Sequence, residues 1–216
     1  MKNILNIILL GPQGSGKGTQ AKLLARDFGF KHIEIGKVLR KISKKETNLG
    51  KRVARIINQG NMVPISMISE IVGQELKKVS KDQGIIFDGT PRRLGEIKPL
   101  KENLAKHERK ITHVFFISIS KQESIKRLKK RKICLNCGTP FIIGETINKD
   151  EVICPICGGE VVVRRDETPE SIKKRLALYR KKTDPVVNYF KKENKLIKIN
   201  GEDSINNVYK EIKSYL

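Results

Sequence analysis

Ile4-Leu5-Asn6-Ile7-Ile8-Leu9-Leu10 runs without a break into Gly11-Pro12-Gln13-Gly14-Ser15-Gly16-Lys17-Gly18-Thr19. An apolar, β-branched run of that length, stopped by glycine, reads as a buried strand. The glycines after it permit positive φ and let backbone N–H groups converge on an anion. A helix starting at Lys17 adds the positive end of its dipole, and Lys17 adds a mobile ammonium. Strand, Gly-x4-Gly-Lys and helix in that order are the setting of a phosphate-binding loop. One position departs from the general motif: Gly18 stands where Ser or Thr is usual, and the hydroxyl follows at Thr19.

Four more short apolar runs read as buried strands: His32–Ile35, Ile85–Phe87, Val114–Ile119 and Leu196–Ile199. Helical patterns separate them at Lys17–Phe28, Ser66–Lys81, Gln122–Lys130 and Pro169–Phe190. In the last, Thr168 can cap, Pro169 takes the first position, and Pro185 is expected to kink or divide the helix. The expectation is an α/β fold, a doubly wound five-stranded parallel sheet with helices on both faces. Two stretches break the alternation. Residues 35–63 hold short helical pieces, and 130–167 are rich in Cys, Gly and short apolar pairs. They are expected as inserts between core pieces 1–34, 64–129 and 168–216, the second forming a small β lid.

The chain has 216 residues and 24.5 kDa, enough for one domain with a real core. With 38% hydrophobic and 31% charged residues it fits neither a membrane protein nor a disordered tail. No run approaches the ~18 apolar residues of a spanning helix. The first apolar run lacks a small-residue cleavage site, so it is not expected to be a signal peptide, and a cytoplasmic location is expected. Forty-five basic against 23 acidic residues give +22, which favours polyanions. A bias toward Ile, Lys and Asn would produce the same excess.

All four cysteines fall in two pairs, Cys134-x2-Cys137 and Cys154-x2-Cys157, followed by Gly138 and Gly158. Four thiolates so spaced close a tetrahedral Zn²⁺ site with no open position, so the metal is structural. Iron would accept the same ligands. An insert of ~35 residues has too little core to stand without such a staple. Zinc ribbons with basic flanks also bind nucleic acid, yet aromatics are 5% with no Trp, which leaves few stacking platforms. A nucleic-acid-binding ribbon would also leave the phosphate loop unexplained.

Gly11 to Gln20, with its Gly-Lys-Gly-Thr-Gln ending, resembles the loop of adenylate kinases and related nucleoside-monophosphate kinases. The resemblance continues along nearly the whole chain. Ile35-Gly36-Lys37-Val38-Leu39-Arg40 is similar to the family's Thr-Gly-Asp-x-Leu-Arg, and Asp88-Gly89-Thr90-Pro91-Arg92 to its Asp-Gly-Phe-Pro-Arg. Arg127 and Arg131 match arginines entering the lid; Arg164, Asp166, Glu167 and Arg175 match residues leaving it; Asn200-Gly201 match a late turn near the donor base.

The resemblance implies reversible phosphoryl transfer from Mg-ATP to AMP by a protein taken as a monomer by default. Such transfer needs converging cations and excluded water rather than a covalent nucleophile. Lys17, Arg92, Arg131, Arg164 and Arg175 would be catalytic. Gly14, Ser15, Gly16, Lys17, Gly18, Thr19, Arg127, Arg131, Phe141 and Asp203 would bind ATP, with Arg127 stacking on the base. Ile35, Arg40, Met62, Val63, Gly89, Arg92, Glu96, Arg164 and Arg175 would bind AMP. Thr19 and Asp88 would place Mg²⁺ through its waters, and Cys134, Cys137, Cys154 and Cys157 would hold lid zinc. The 35–63 insert would close over the acceptor.

Near the acceptor base the chain departs from the family. Ile35, Lys37, Thr90 and Glu96 replace Thr, Asp, Phe and Gln, and Gln13 replaces a loop Pro. A Gln amide both donates and accepts, whereas an ionised Glu only accepts. Either selectivity for AMP is relaxed, or Glu96 is drift in an exposed loop with backbone carbonyls still reading the base. The Lys126–Lys132 run reads as a solvated face.

Overall fold

In the computed structural model, which describes residues 4–59, 61–163 and 168–216, the five apolar runs become five strands of one parallel sheet. In chain order the elements are β1 (Asn6–Leu10), α1 (Lys17–Phe28), β2 (Lys31–Glu34), α2 (Ile35–Ser43), α3 (Asn48–Asn58), α4 (Ile65–Leu76), β3 (Ile85–Asp88), α5 (Ile97–Ala105), β4 (His113–Ser118), α6 (Lys121–Lys129), β5 (Arg131–Cys134), β6 (Pro140–Ile142), β7 (Val161–Val163), α7 (Pro169–Lys192), β8 (Leu196–Asn200) and α8 (Ile205–Lys213). The large sheet has the order β2-β3-β1-β4-β8, and the small one is antiparallel, β6-β5-β7.

β1 shows why a run with no alternation is a strand here. Every one of its residues is buried. Ile8 and Leu10 join Ile33, Phe87 and Val114 beneath α4, α5 and α7, while Ile7 and Leu9 join Ala21, Leu24, Phe115 and Val208 beneath α1 and α8. Helices on both faces bury both sides of each central strand. The α/β expectation therefore holds, with a small antiparallel sheet beside the five-stranded parallel one.

Four helices start on a hydroxyl that accepts a backbone N–H three residues on: Thr47, Ser120, Thr168 and Ser204. Pro185 does not divide α7, which runs unbroken for 24 residues. Val186, Val187 and Phe190 directly after the proline pack into the main core, and that packing outweighs one missing backbone hydrogen bond. α4 stops at Leu76, short of the expected Lys81, where the Lys77, Lys78 and Val79 amides turn back onto the last carbonyls. Residues 35–63 contain α2 and α3, as their short helical pieces suggest. In the lid, Cys134, Phe141, Ile147, Cys154 and Val161 form a separate small core. Lys132 is buried there, donating to the carbonyls of Lys149 and Glu151, so the end of the basic run is not a solvated face.

Candidate active site

Leu9 pairs with Asp88 in the parallel ladder, so the loops leaving β1 and β3 start side by side at the carboxyl edge of the sheet. Open α/β sheets bind ligands at that edge. α1 begins after Gly16, left-handed at φ 92°, with no side-chain cap, which leaves its first N–H groups for an anion. Gly11 has no room for a side chain, since a Cβ would lie 2.4 Å from the Ile117 carbonyl oxygen. At Gly18 a Cβ would meet Asp88 Oδ2 at 3.3 Å; the residue that departs from the general motif is the one facing this carboxylate. Ser124 of α6 donates to the Gln13 carbonyl at 2.6 Å and braces the loop from the lid side.

Lys17 Nζ donates to the carbonyls of Gly11 (2.7 Å) and Pro12 (2.8 Å). Burial, and after it Arg92, Arg131 and Arg175, lowers its ammonium to about 8 against the opposing pull of Asp88. That list is itself a map of convergence: cations from the β3 loop, the start of β5 and α7 all act on one ammonium. Burial alone would raise the Asp88 carboxyl, yet His32, Lys17 and Arg92 hold it below the ordinary carboxylate value. His32 Nε2 lies 3.6 Å from Asp88 Oδ2.

Around this centre opens a cleft of roughly 2300 Å³. A single ligand pocket is typically ~300–1,000 Å³, so the cleft has room for two nucleotide-sized molecules. Its lining includes Gly14, Ser15, Gly16, Gly18, Thr19, Arg127, Arg131, Phe141 and Asp203 toward the lid. Toward the 35–63 insert it includes Ile35, Arg40, Met62, Val63, Gly89, Arg92, Glu96 and Arg175. Every predicted site residue of the described chain that is not a metal ligand thus borders one space. Arg164 lies outside the described residues, as do Asp166 and Glu167.

The surroundings of several differ from expectation. Arg127 is fastened in its own plane, with Nε on Glu123 (2.7 Å) and Nη1 on the Gly201 carbonyl (2.9 Å). Arg40 pairs with Glu34 at 2.8 Å, a partner no motif announced. Phe141 is only 4% exposed and belongs to the lid core. Glu96 does not lie in an exposed loop: it is buried and bonded to Arg93, another residue the sequence did not single out. Thr90 is buried as well. Glu34 directly precedes Ile35-Gly36, and Arg93 directly follows Arg92; adjacency to the motifs was the available signal.

The four cysteine sulfurs lie within 4.8 Å of one another. Cys134 and Cys157 Sγ are 3.5 Å apart, Cys137 and Cys154 Sγ 3.8 Å. Zn–S bonds of about 2.3 Å require tetrahedral edges of about 3.8 Å, so this donor set fits that ion. Gly138 and Gly158 turn the two knuckles at φ 70° and 69°. Thr139 links the cluster to α1, accepting from Lys22 Nζ at 2.9 Å while Cys137 Sγ sits 3.1 Å from its hydroxyl.

A model of the adenylate kinase family matches residues 9–195. The chain is 34% identical to an adenylate kinase of Archaeoglobus fulgidus over 212 residues, 98% of both chains. It is 36% identical to one of Caldicellulosiruptor bescii over 208 residues, 96% of this chain and 97% of the other. It is also 36% identical to one of Clostridium botulinum over 212 residues, 98% of both.

Proposed function

The chain belongs to the adenylate kinase family, hence to the nucleoside-monophosphate phosphotransferases, and from that premise we propose that its cleft transfers the terminal phosphoryl group of Mg-ATP to AMP, reversibly, giving two ADP. One observation carries the residue assignments: Lys17, Asp88, Arg92, Arg131 and Arg175, far apart in sequence, share one electrostatic environment at the mouth of the phosphate loop.

The phosphate loop and the uncapped start of α1 hold the donor's phosphates, with Lys17 on the outer ones. Arg127 offers a flat guanidinium face to the donor base, its plane fixed by in-plane bonds from Nε to Glu123 and from Nη1 to the Gly201 carbonyl. Arg40 and Arg92 grip the acceptor phosphate bidentately, Arg40 exchanging its Glu34 partner for the ligand. Arg131 and Arg175, with Arg164, neutralise charge on the group in flight. Closure of the lid and of the 35–63 insert keeps water from taking the phosphoryl group. The ionised Asp88 and the Thr19 hydroxyl are hard oxygen donors suited to Mg²⁺ and its waters. When bound, that ion neutralises charge between the donor's outer phosphates. The lid cysteines hold zinc structurally. Cysteine pairs at metal-ligand spacing support a cytoplasmic setting, and no helix among the described residues is long and apolar enough to cross a membrane.

The test is a coupled assay for ADP from ATP and AMP, with a mimic joining two adenosines through five phosphates as inhibitor. ADP formation blocked by the mimic is the expected result, and no ADP with any monophosphate defeats the reading.

Lys17 gives a pH signature. Its value of about 8 in the free protein means that a fraction of the chains carries it neutral at mildly alkaline pH. Donor phosphates favour the ammonium and raise the value again, so binding takes up a proton. ATP affinity should therefore fall as pH rises past about 8. Calorimetric titrations at pH 8.5 in two buffers of different ionisation enthalpy should show net proton uptake. Zero uptake would mean that Lys17 is fully charged before the nucleotide arrives.

A further inference from the structure

The half-buried Arg93 and the buried Glu96 form an ion pair inside the acceptor half of the cleft. Arg93 Nε donates to Glu96 Oε1 at 2.7 Å, with the two side chains 19% and 5% exposed. The same guanidinium reaches out of the loop, and Nη2 donates to the Val63 carbonyl at 2.8 Å. Val63 is where the 35–63 insert rejoins the core. The other Glu96 oxygen, Oε2, accepts from the Arg92 backbone N–H at 2.7 Å and from the Thr90 hydroxyl at 3.4 Å. Thus one carboxylate and one guanidinium tie together the insert's exit, the backbone of Arg92 and the Thr90 hydroxyl.

We propose that Arg93 and Glu96 are positioning residues for the acceptor monophosphate, fastening the end of the acceptor-side insert to the loop that aims Arg92, and that Glu96 does not read the acceptor base. The inference rests on the kinase reading above. Both Glu96 oxygens are engaged by protein donors, Oε2 by two and Oε1 by the Arg93 guanidinium. Three of the carboxylate's roughly four acceptor sites are taken, so a nucleobase could not make a bidentate contact without displacing one of them. A buried carboxylate that loses such a partner is left uncompensated, so displacement is disfavoured. The pair instead does what a phosphate grip requires. The Arg92 backbone is held at its own N–H, and its carbonyl is held by the Thr183 hydroxyl of α7 at 3.1 Å. Arg92 is thereby braced on both sides of its Cα, leaving the side chain to meet the ligand.

Two consequences differ from those of a base reader. Weakening the pair should cost all monophosphates alike, because they share the phosphate and differ in the base. It should also leave the donor alone, because Lys17, Arg127 and the phosphate loop do not depend on Arg93 or Glu96.

The experiment compares wild type with Arg93→Ala, Arg93→Lys and Glu96→Gln. It measures AMP binding by calorimetry, steady-state constants for AMP, GMP, CMP, UMP and ATP, and thermal unfolding. Loss of one charge-assisted hydrogen bond should weaken AMP binding and raise its KM about tenfold in Arg93→Ala and Glu96→Gln. The ratios among the four monophosphates should stay constant, and KM for ATP should move by less than roughly twofold. Arg93→Lys keeps a cation for Glu96 but lacks the planar fork that also reaches Val63, so it should fall between wild type and alanine. That variant decides the matter if alanine fails to fold. Altered monophosphate ratios in Glu96→Gln would make Glu96 a base reader and overturn the proposal. Lower thermal stability with unchanged AMP binding in Arg93→Lys and Glu96→Gln would reduce the pair to a structural brace and overturn it too. Wild type forming no ADP would strike the kinase reading, whereas active wild type with variants of unchanged acceptor affinity would strike this inference alone.

Discussion

Lys17→Met is expected to abolish nearly all turnover while melting no earlier than wild type. Removing one preorganised donor from a site of developing charge costs about 10²–10³ in rate, and a full ammonium on the moving phosphates should cost at least that much. The stability half of the prediction follows from the same burial. A value lowered from 10.5 to about 8 means the folded chain holds its charged lysine at an expense of about 3 kcal/mol. That penalty is present in full below about pH 8 and is relieved as pH rises toward the unfolded value. The mutant, which keeps the methylene stem but not the charge, escapes it. Its advantage in melting temperature should therefore be largest at neutral pH and shrink between pH 8 and 10. Single-turnover phosphoryl transfer and paired thermal scans at pH 7 and 9.5 would check both halves. Near-wild-type turnover would take Lys17 out of the mechanism, and a clearly lower melting temperature at pH 7 would show that its bonds to the Gly11 and Pro12 carbonyls outweigh its burial.

Removing the lid metal is expected to produce the second large effect, and to produce it in two stages. Purified protein should carry about one zinc per chain. The lid core consists of Phe141, Ile147 and Val161 with two of the cysteines themselves, far too little apolar area to order three short strands. Structural zinc contributes about 10–16 kcal/mol in small peptide sites, so an ion held by the four thiols would supply most of the lid's order. Chelation or Cys154→Ser should erase hydrogen-exchange protection across residues 131–163 while the parallel sheet keeps its own. Activity should collapse with it, since Arg131 stands at the start of β5. Metal-free protein with unchanged lid protection and turnover would show that the four thiols are ornamental.

The fold was legible where burial leaves no choice. Ile4–Leu10 has apolar residues on both faces because helices cover both, and such runs announce themselves without an alignment. α5 and α8 went unread because their apolar positions, Ile97, Leu100 and Leu104 in one and Val208 and Ile212 in the other, are spread thinly among polar residues. Pro185 reads as kinking or dividing its helix, and division does not follow, because the packing of its neighbours holds the helix together across it. At the candidate site, the residues proposed to handle phosphate could be named because the glycine loop has few other uses and the arginines fall within motifs that resemble the family's. The partners that hold them could not. Glu34, Glu123 and Arg93 are ordinary charged residues until the fold sets them 2.7–2.8 Å from Arg40, Arg127, Glu96 and the Val63 carbonyl. Glu96 shows the hazard most clearly, since its sequence position pointed to the acceptor base and its surroundings point to protein donors.

The unbroken α7 also makes a lever. Pro185 leaves the Lys181 carbonyl without its intrahelical partner, so the rod is softest there. Beyond that fulcrum the core grips Val186, Val187 and Phe190. On the other side, at 1.5 Å per residue, Thr183 sits about 3 Å away, Arg175 about 15 Å and the Thr168 cap about 25 Å. A tilt of about 10° would sweep Thr168 through about 4 Å and Arg175 through nearly 3 Å, while Thr183 would shift by only about 0.5 Å. In such a tilt the short arm would keep hold of the Arg92 carbonyl while the long arm swung a cation by the length of a hydrogen bond. An unbroken helix pivoting there would grade displacement along its length, small at the acceptor and large at the lid.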